Sequence, residues 1–391
     1  MQNVSTGSSS PDPPGKPVLS LILCSRNDQY MGNSLWRLQT ALNYVAQMVY
    51  ELSREEDVEV LVADWGSDIP LRDVLDLSPA AARIVSFILI PPKIARDLQN
   101  DSPFPEVLAL NAAARRASGE YVGRIDQDTL VGKRFIKYFF ELHEGGRQLE
   151  VPLSSALLFA NQRMVPYRFA VRCPPFWAVD KYIGWFGRFL KIEISSWNPF
   201  YCHGVGIWLV HRDLWNECGG YDERMIYMNT MEINMIARLM KNHKMVNLGK
   251  LVDYDFYHLE HYHPLVPRRS STYRKVNPDP PFVKPDILNP NGPDWGLIQY
   301  PFEKLPYSPD RKKVETATFH QSPFEWWFFM LLIVSAGVQM AWDKIVKSFR
   351  IVNVVWRQRA HIAWETVRYQ PLFSWPRLLV SLWVRKKRDQ K

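Results

Sequence analysis

The chain has 391 residues, of which 47% are hydrophobic and 23% are charged, so it is long enough to bury the core of one large α/β domain with additions. Its formal net charge of +8 is concentrated at the C-terminus, because residues 341–391 hold 12 Lys and Arg against 3 Asp and Glu. The remainder is close to neutral. The basic pI therefore does not indicate a nucleic-acid-binding surface on the main domain, and we expect no nucleic-acid partner.

Cysteine usage and the N-terminus bear on the compartment. The four cysteines, Cys24, Cys173, Cys202 and Cys218, form no CxxC pair, zinc spacing or disulfide framework. We therefore expect reduced thiols and a cytoplasmic protein. Residues 1–17 are rich in Ser, Gly and Pro and lack the basic start and apolar run of a signal peptide, which predicts a disordered leader.

Short apolar runs alternate with segments of helical periodicity through the first third of the chain. A helix is predicted from Asn33 or Ser34 to about Leu52, and a second from Glu106 to Ser118. Strands that are apolar throughout and alternate with helices indicate a mostly parallel sheet covered on both faces. Such sheets bind ligands at the carboxyl ends of their strands. The predicted strands are Val18–Cys24, Val58–Ala63, Ile84–Ile90 and Tyr121–Ile125.

The middle of the chain is less regular. Residues 151–201 are rich in aromatic residues and Pro without a clear period, and we expect acceptor-binding loops there. A strand is predicted at Val205–Val210, a turn at Gly219–Glu223 and a helix at Met231–Met240.

The end of the chain is apolar and basic. Phe324–Trp342 is strongly apolar, interrupted by Glu325 and Gln339. Its part Trp326–Trp342 lies at the lower limit for a membrane span of about 20 residues, so a span is possible but not required. The rest of the tail mixes Trp with Arg and Lys and closes on Arg385–Arg388, a pattern typical of a helix at an anionic membrane surface. We expect a protein that is peripheral to, or anchored at, the cytosolic face of a membrane.

An acidic triplet, Asp126-Gln127-Asp128, follows the fourth predicted strand directly. Two carboxylates separated by one residue can reach a single divalent cation where the chain leaves a strand and turns. Oxygen ligands of this kind suit Mg²⁺ or Mn²⁺, which in turn hold phosphate oxygens. An acid-capped turn is the alternative interpretation.

Four stretches, in the expected order, resemble the GT-A glycosyltransferases, in particular the large inverting family 2 and its galactosyltransferase-like relatives. They are Val18–Asn27, Glu59–Asp68, Asn111–Asp128 and Gly219–Glu223. The resemblance implies a GT-A nucleotide-diphospho-sugar transferase fold, with a catalytic domain over residues 18–265. Residues 266–322 would be a Pro-rich loop region packed on that domain, and residues 323–391 a helical, membrane-associated extension.

The resemblance also implies a reaction and roles for residues. The protein would move a hexose from a nucleoside-diphosphate sugar to a glycan or lipid-linked acceptor, with inversion. Asp126 and Asp128 would hold Mn²⁺ or Mg²⁺ on the diphosphate. Gly220 and Trp295 would lie at the acceptor site. The predicted nucleotide contacts are Ser25, Asn27, Asp64, Arg124 and Asp126, with a turn or helix-cap role as the alternative for Asp64.

Glu232 is the predicted catalytic base. The family often has an acidic run on the helix after the Gly219–Glu223 turn, and here Met231-Glu232-Ile233-Asn234 replaces it. A carboxylate on the acceptor side would take the proton of the attacking hydroxyl. The alternative for Glu232 is a surface carboxylate on an amphipathic helix.

Three histidines, His258, His261 and His263, are candidate metal ligands, because neutral imidazole binds Mn²⁺ and several GT-A enzymes add a downstream histidine to the metal site. In strand conformation, His261 and His263 would point the same way and His258 would not. A polar loop with one structural histidine is the alternative.

Other classes of function were weighed against the transferase. A non-catalytic membrane-surface scaffold with a degenerate GT-A domain is the main alternative, because the acidic run at Met231 departs from the family pattern. A nucleotidyltransferase is disfavoured because no early Gly-rich phosphate loop is present. A zinc enzyme is disfavoured because the chain has neither HExxH nor a cysteine set.

Overall fold

The computed structural model describes residues 16–28, 30–193, 205–227, 231–261, 287–307, 326–331, 333–335 and 337–338. The predicted leader, His263, and most of the Pro-rich region and of the tail lie outside these residues. The chain divides into two compact units, Met1–Phe329 and Met330–Lys391. The first unit contains the sheets and the candidate site.

An eight-stranded sheet forms the centre of the first unit, in the order β11-β3-β2-β1-β4-β8-β6-β9. A second sheet has three strands in the order β5-β10-β7. The strands are β1 Leu19–Ser25, β2 Val58–Trp65, β3 Val85–Ile90, β4 Tyr121–Arg124, β5 Thr129–Val131, β6 Ala156–Asn161, β7 Arg163–Val165, β8 Val205–His211, β9 Lys244–Asn247, β10 Phe256–Leu259 and β11 Lys304–Pro306.

Helices connect and cover these strands. The longest, α1, joins β1 to β2, and the Ala-rich α5 leads into β4. The helices are α1 Ser34–Tyr50, α2 Leu71–Val74, α3 Pro79–Ile84, α4 Pro92–Gln99, α5 Glu106–Arg116, α6 Lys133–His143, α7 Tyr167–Ala170, α8 Phe176–Phe186, α9 Arg212–Cys218 and α10 Met231–Leu239.

The predicted parallel sheet is confirmed for its central part. Strand β1 pairs in parallel with β2 on one side and with β4 on the other, and β2 pairs in parallel with β3. The sheet becomes mixed beyond β4, because β8 is antiparallel to both β4 and β6. The aromatic-rich residues 151–201, which we expected to be loops, contain β6, β7 and α8 among the described residues. Their aromatic side chains pack on neighbouring elements and so obscure the periodicity.

Close packing fixes the central strands. The side chains of Leu21, Ile22 and Leu23 on β1 are fully buried. Gly119, three residues after the end of α5, comes so near to β1 that a Cβ atom there would lie 2.6 Å from the backbone nitrogen of Ser20. Burial on both faces excludes water from the sheet and provides most of the favourable free energy of folding.

The Gly219–Glu223 turn is anchored by buried polar side chains. Asn111 on α5 donates to the carbonyl of Tyr221 at 2.8 Å and accepts from its backbone N–H at 2.8 Å. Arg238 on α10 donates to the carbonyls of Cys218 and Gly220 at 2.6 and 2.7 Å. These bonds fix the start of α10 relative to α5 and the sheet.

Two further sequence predictions concern the thiols and the tail. Cys24, Cys173 and Cys218 are free, and Cys202 lies outside the described residues. Within the described part of the chain, no helix is both long and apolar enough to cross a bilayer. Trp326–Trp342 is described only in part.

Replacement of Asn111 by Ala tests the anchoring of the turn. It removes three hydrogen bonds and leaves the buried backbone N–H of Tyr221 without a partner, so we expect the free energy of unfolding to fall by about 2–4 kcal/mol. Urea denaturation measures the change. Asn242→Ala, at an exposed position, should stay within about 0.5 kcal/mol of the parent. Equal stability of the two variants would contradict the anchoring role.

Candidate active site

The carboxyl ends of three parallel strands bring polar residues to one edge of the sheet. Strand β1 ends at Ser25 and β2 at Trp65, and Ser25 is in register with Asp64. Strand β4 ends at Arg124, and the acidic triplet follows within two residues. Ser25 also donates to the side-chain oxygen of Gln127 at 2.5 Å. The end of β1 and the triplet are therefore linked directly.

Asp128 lies at the centre of a buried polar group. Its side chain is almost fully buried, and Nη1 of Arg37 donates to its Oδ2. Nδ1 of His258 lies 3.2 Å from Oδ1, and Nδ1 of His261 lies 3.3 Å from Oδ2. One ligand atom from each of Asp128, His258 and His261 lies within 4.8 Å of the others. No other group of three such residues in the described chain meets this distance.

Pairing of β10 with β5 creates this group. His258 is opposite Thr129 in the antiparallel register, and the backbone N–H of Leu259 donates to the carbonyl of Asp128 at 3.0 Å. The strand ends at Leu259, so the alternation of a strand does not extend to His261. The expectation that His258 would face away from the other histidines is therefore wrong for His261. His263 lies outside the described residues.

The charges in this group shift its pKa values. Burial lowers the pKa of His258, but the carboxylates of Asp128 and Asp126 outweigh burial and raise it to about 9. Burial lowers the pKa of His261 to about 4, with Arg37 and His258 adding to the effect. Burial raises the pKa of Asp128, yet His258, His261 and Arg37 together hold it below its ordinary value. The two imidazoles thus differ in charge near neutral pH.

The group fits a divalent cation by its donor chemistry. Nδ1 of His258 is buried and makes no hydrogen bond with acceptable geometry, although Asp128 is close. A nitrogen in that position can offer its lone pair to a metal once it is deprotonated. Two imidazoles and one carboxylate suit Mn²⁺ or Zn²⁺, whereas Mg²⁺ prefers oxygen ligands alone.

Asp126, the other carboxylate of the triplet, is held elsewhere. Its Oδ1 accepts from Nη2 of Arg124 at 2.6 Å. It lies close enough to Asp128 and His258 for their charges to affect its pKa, which burial raises above its ordinary value. The triplet therefore has one carboxylate beside the histidines and one beside an arginine.

Arg124 connects three carboxylates. The same Nη2 lies 2.6 Å from Asp126, 2.7 Å from Oε1 of Glu106 and 3.2 Å from Oε1 of Glu232. Glu106 begins α5 and Glu232 lies in the first turn of α10. The predicted base and the first acid of the triplet are thus brought together. Arg124 itself, which we expected at the nucleotide, is almost fully buried among these carboxylates.

One guanidinium cannot neutralise three carboxylates. Burial raises the pKa of Glu106 to about 7, and the negative charges of Glu232 and Asp126 add to the effect. Burial lowers the pKa of Arg124, but the three carboxylates outweigh it and raise the pKa above its ordinary value. The cluster therefore carries an excess of negative charge that a cation or a proton can reduce.

Sequence reasoning missed two residues of the site, Arg37 and Glu106. Both occur in helices whose hydrophobic periodicity explains their neighbours, and neither belongs to a recognisable motif. One signal could have pointed to Arg37: it is a charged residue at a position of α1 that the helical pattern assigns to the core.

A cavity of about 270 Å³ lies beside this edge of the sheet. Its lining is polar and includes the predicted nucleotide-binding residue Asn27, whose backbone N–H donates to Ser67 at 2.8 Å. Two arginines, Arg26 and Arg96, contribute positive charge. The remaining lining residues are Asp28, Trp65, Gly66, Ser67, Asp68, Pro92, Ala95 and Gln99.

Asp64 does not line this cavity. It is buried, and its carboxylate accepts from the hydroxyl of Ser67 and from the backbone N–H of Leu71 at 2.7 Å. Both oxygens are therefore used to close the turn after β2. This geometry favours the turn role over direct contact with a nucleotide.

Gly220 and Trp295 also differ from expectation. Trp295 is 2% exposed and stacks on Trp215 with ring centroids 6.4 Å apart. A Cβ at Gly220 would lie 2.4 Å from Oδ1 of Asn111 and 2.9 Å from the Trp295 ring. Both residues are packed in the core, an arrangement that gives no access to an acceptor.

Among the comparisons with known proteins, the one with solved structures found similar proteins. No protein-family model and no curated protein matches the chain. The structure is similar to S. aureus TarS, with 12% identity and a TM-score of 0.38 over 62% of this chain and 36% of that chain. It is also similar to the catalytic domain of Drosophila beta1,4galactosyltransferase 7, with 11% identity and a TM-score of 0.35 over 70% of this chain and 79% of that chain.

Other structures of the same two proteins contain bound ligands. TarS 1-349 was crystallised with UDP-GlcNAc, and the match covers 61% of this chain and 58% of that chain, with 14% identity and a TM-score of 0.34. A mutant of the Drosophila protein was crystallised with manganese, UDP-Gal and xylobiose. The chain spans little more than a third of full-length TarS. At these identities and TM-scores, the likeness alone assigns no activity to this chain.

Asp64→Asn tests whether the buried carboxyl group of Asp64 makes the stability of the protein depend on pH. Burial raises the pKa of Asp64 from 3.8 to about 6, so folding is favoured by its protonation below pH 4 and that contribution is lost as the pH rises through 6. We expect the parent to lose about 3 kcal/mol of unfolding free energy relative to Asp64→Asn between pH 4 and pH 7.5.

Urea denaturation at a series of pH values measures this difference. Asp97→Asn is a matched control, because Asp97 is exposed on α4 and its replacement should leave the pH dependence of the parent unchanged. Parallel stability curves for the parent and Asp64→Asn would show that the Asp64 carboxyl group is not held in the buried environment described.

Proposed function

We propose that the protein is an inverting, metal-dependent glycosyltransferase that moves a hexose from a nucleoside-diphosphate sugar to a glycan or lipid-linked acceptor. The observation that carries the proposal is the group formed by Asp128, His258 and His261 at the carboxyl edge of the parallel strands. A metal site at that edge, with an acidic cluster beside it, suits transfer from a diphosphate.

The donor nucleotide is assigned to the cavity lined by Asn27, Arg26 and Arg96. Arg26 and Arg96 can contact phosphate oxygens, while Asp28 and Asp68 in the same lining balance their charge, and the size of the cavity is close to that of small-molecule sites. Ser25, two residues before Asn27, hydrogen-bonds Gln127 of the triplet. The chain therefore connects the cavity to the metal group over a short distance, as a nucleotide with an attached diphosphate requires.

Asp128, His258 and His261 would hold the metal, and the nitrogen ligands favour Mn²⁺ over Mg²⁺. When bound, the cation supplies positive charge that stabilises the departing nucleoside diphosphate. Arg37 fixes one oxygen of Asp128 and thus orients the carboxylate. Asp126 remains a proposed ligand of the metal or nucleotide, and to act it would exchange its bond with Arg124.

Glu232 is proposed as the base on the acceptor side. An acceptor hydroxyl attacks the anomeric carbon, a bond forms between its oxygen and that carbon, and the bond from the carbon to the diphosphate oxygen breaks. The carboxylate of Glu232 takes the hydroxyl proton. Arg124 contacts both Glu232 and Asp126, and so fixes the base relative to the acidic triplet.

A non-catalytic scaffold remains the second candidate because each acid of the triplet already has an arginine partner. Arg37 pairs with Asp128 and Arg124 pairs with Asp126, so the folded chain does not require a cation at this position. We retain the proposal that the protein is peripheral to the cytosolic face of a membrane, with the basic tail at an anionic surface.

Asp128→Asn separates the two candidates. We expect the parent to bind uridine or guanosine diphosphate at least about tenfold more tightly with Mn²⁺ than without it, because the cation bridges protein and diphosphate. In Asp128→Asn this enhancement should be lost, while binding without metal is retained. Isothermal titration calorimetry measures both.

The control is Asp97→Asn on the exposed face of α4, which should bind as the parent does. A parent protein that shows no metal-dependent nucleotide affinity would support the scaffold. Unchanged enhancement in Asp128→Asn would place the metal elsewhere.

Glu232→Gln tests the base. Loss of general-base catalysis should lower kcat by about 10²–10⁴-fold, whereas donor affinity should change by less than about threefold. Release of nucleoside diphosphate in the presence of acceptor measures kcat, and calorimetry measures the affinity. Glu150→Gln, at a side chain that is 82% exposed, serves as the control. An active Glu232→Gln protein would contradict the assignment and turn attention to Glu106.

A further inference from the structure

Helix α8 has one buried face and one aromatic, basic edge. Ala178, Val179 and Tyr182 pack into the first unit. Trp177, Lys181 and Trp185 follow one another at intervals of four residues, so they lie along one side of the helix. Trp185 is 49% exposed. Such exposure of a large aromatic residue is unusual where the core could accommodate it, and here it occurs beside a cation.

Residues 326–329 extend this edge. The Trp326 ring stacks on Trp177, with centroids 6.2 Å apart, and Nζ of Lys181 lies 5.6 Å and 5.7 Å from the two rings. Trp327 is 63% exposed. We call this surface the aromatic face; it consists of Trp177, Lys181, Trp185, Trp326, Trp327 and Phe328.

The surroundings of the aromatic face are basic. The guanidinium of Arg172 lies 5.7 Å from the Phe328 ring centroid, and the side chain of Arg188 is 74% exposed. Across residues 167–191 the chain has five cations and one acid, Asp180. The cations are Arg168, Arg172, Lys181, Arg188 and Lys191.

We propose that the aromatic face docks the first unit on an anionic membrane surface. Trp and Phe side chains partition into the region between headgroups and acyl chains, where Trp is enriched in membrane proteins. Lys and Arg beside them are attracted to anionic headgroups. A neutral glycan could stack on the rings but would gain nothing from five cations, so the charge favours lipid over glycan.

This inference is independent of the basic tail and of sugar transfer. It places a membrane contact on the unit that contains the candidate site, whereas the sequence predicted contact through the tail alone. The first unit would then meet lipid-linked or surface-bound molecules with a fixed side toward the bilayer.

The test uses the full-length protein and vesicles of phosphatidylcholine with and without phosphatidylglycerol. Trp185→Ser/Trp327→Ser removes two exposed rings without opening the core, and we expect it to weaken partition into the anionic vesicles by about tenfold. Tyr50→Ser/Leu251→Ser removes exposed apolar side chains elsewhere and should partition as the parent does. Melting temperatures confirm that both variants are folded.

A second measurement reports on the aromatic face even if the tail dominates partition. Lipids that carry a photo-crosslinker should label residues 176–189 and 326–329 of the parent, and phosphatidylglycerol should increase the labelling. Labelling confined to the tail would overturn the proposal. Equal labelling from neutral vesicles would overturn the requirement for an anionic surface. Competition by a soluble neutral oligosaccharide would overturn the proposal and favour glycan binding.

Discussion

The buried ion pair between Arg37 and Asp128 is the interaction on which the candidate site depends. Asp128 is almost fully buried, and an isolated buried charge is far less stable than one in water, so its carboxylate stays ionised because Arg37 and His258 lie beside it. Arg37 comes from α1, which packs against α3, α6 and β5, so these elements determine where the guanidinium meets the carboxylate. With Asp128 fixed, the backbone bond to Leu259 brings the two histidines to it. The metal group is thus a consequence of a salt bridge that no motif contains.

Arg124 has a comparable role for the acidic cluster. It draws together the end of β4, the start of α5 and the first turn of α10, which approach from different parts of the chain. The Gly219–Glu223 turn, anchored by Asn111 and Arg238, determines where α10 begins and therefore where Glu232 lies. Both halves of the site rest on arginines that neutralise carboxylates at the edge of the sheet. Their charge balance decides whether a cation, a proton or a substrate group is attracted next.

Much of the fold could be predicted from the sequence, because buried parallel strands are continuous apolar runs. Strands β1 to β4 and helices α1, α5 and α10 lie within one or two residues of their predicted bounds. The pairing of β10 with β5 could not be predicted, because it joins residues that are distant in sequence. The predicted orientation of His258 relative to His261 was wrong for that reason. Asp64, Gly220 and Trp295 show a different limit: their residue types fit a motif, but the Asp64 carboxylate closes a turn, Gly220 permits close packing and the Trp295 ring packs in the core. Which of two roles a polar residue takes depends on its neighbours in space.

The contact of β10 with β5 has a consequence for the order in which parts of the protein fold. It closes a long loop, and the entropy lost in closing it is recovered only after the intervening strands have assembled. A cation held by Asp128 and the two histidines would therefore bind late in folding, and it would stabilise the completed fold. The first third of the chain, before residue 132, could then form its parallel strands while still unable to retain the ion, so that nascent or truncated molecules would not sequester it.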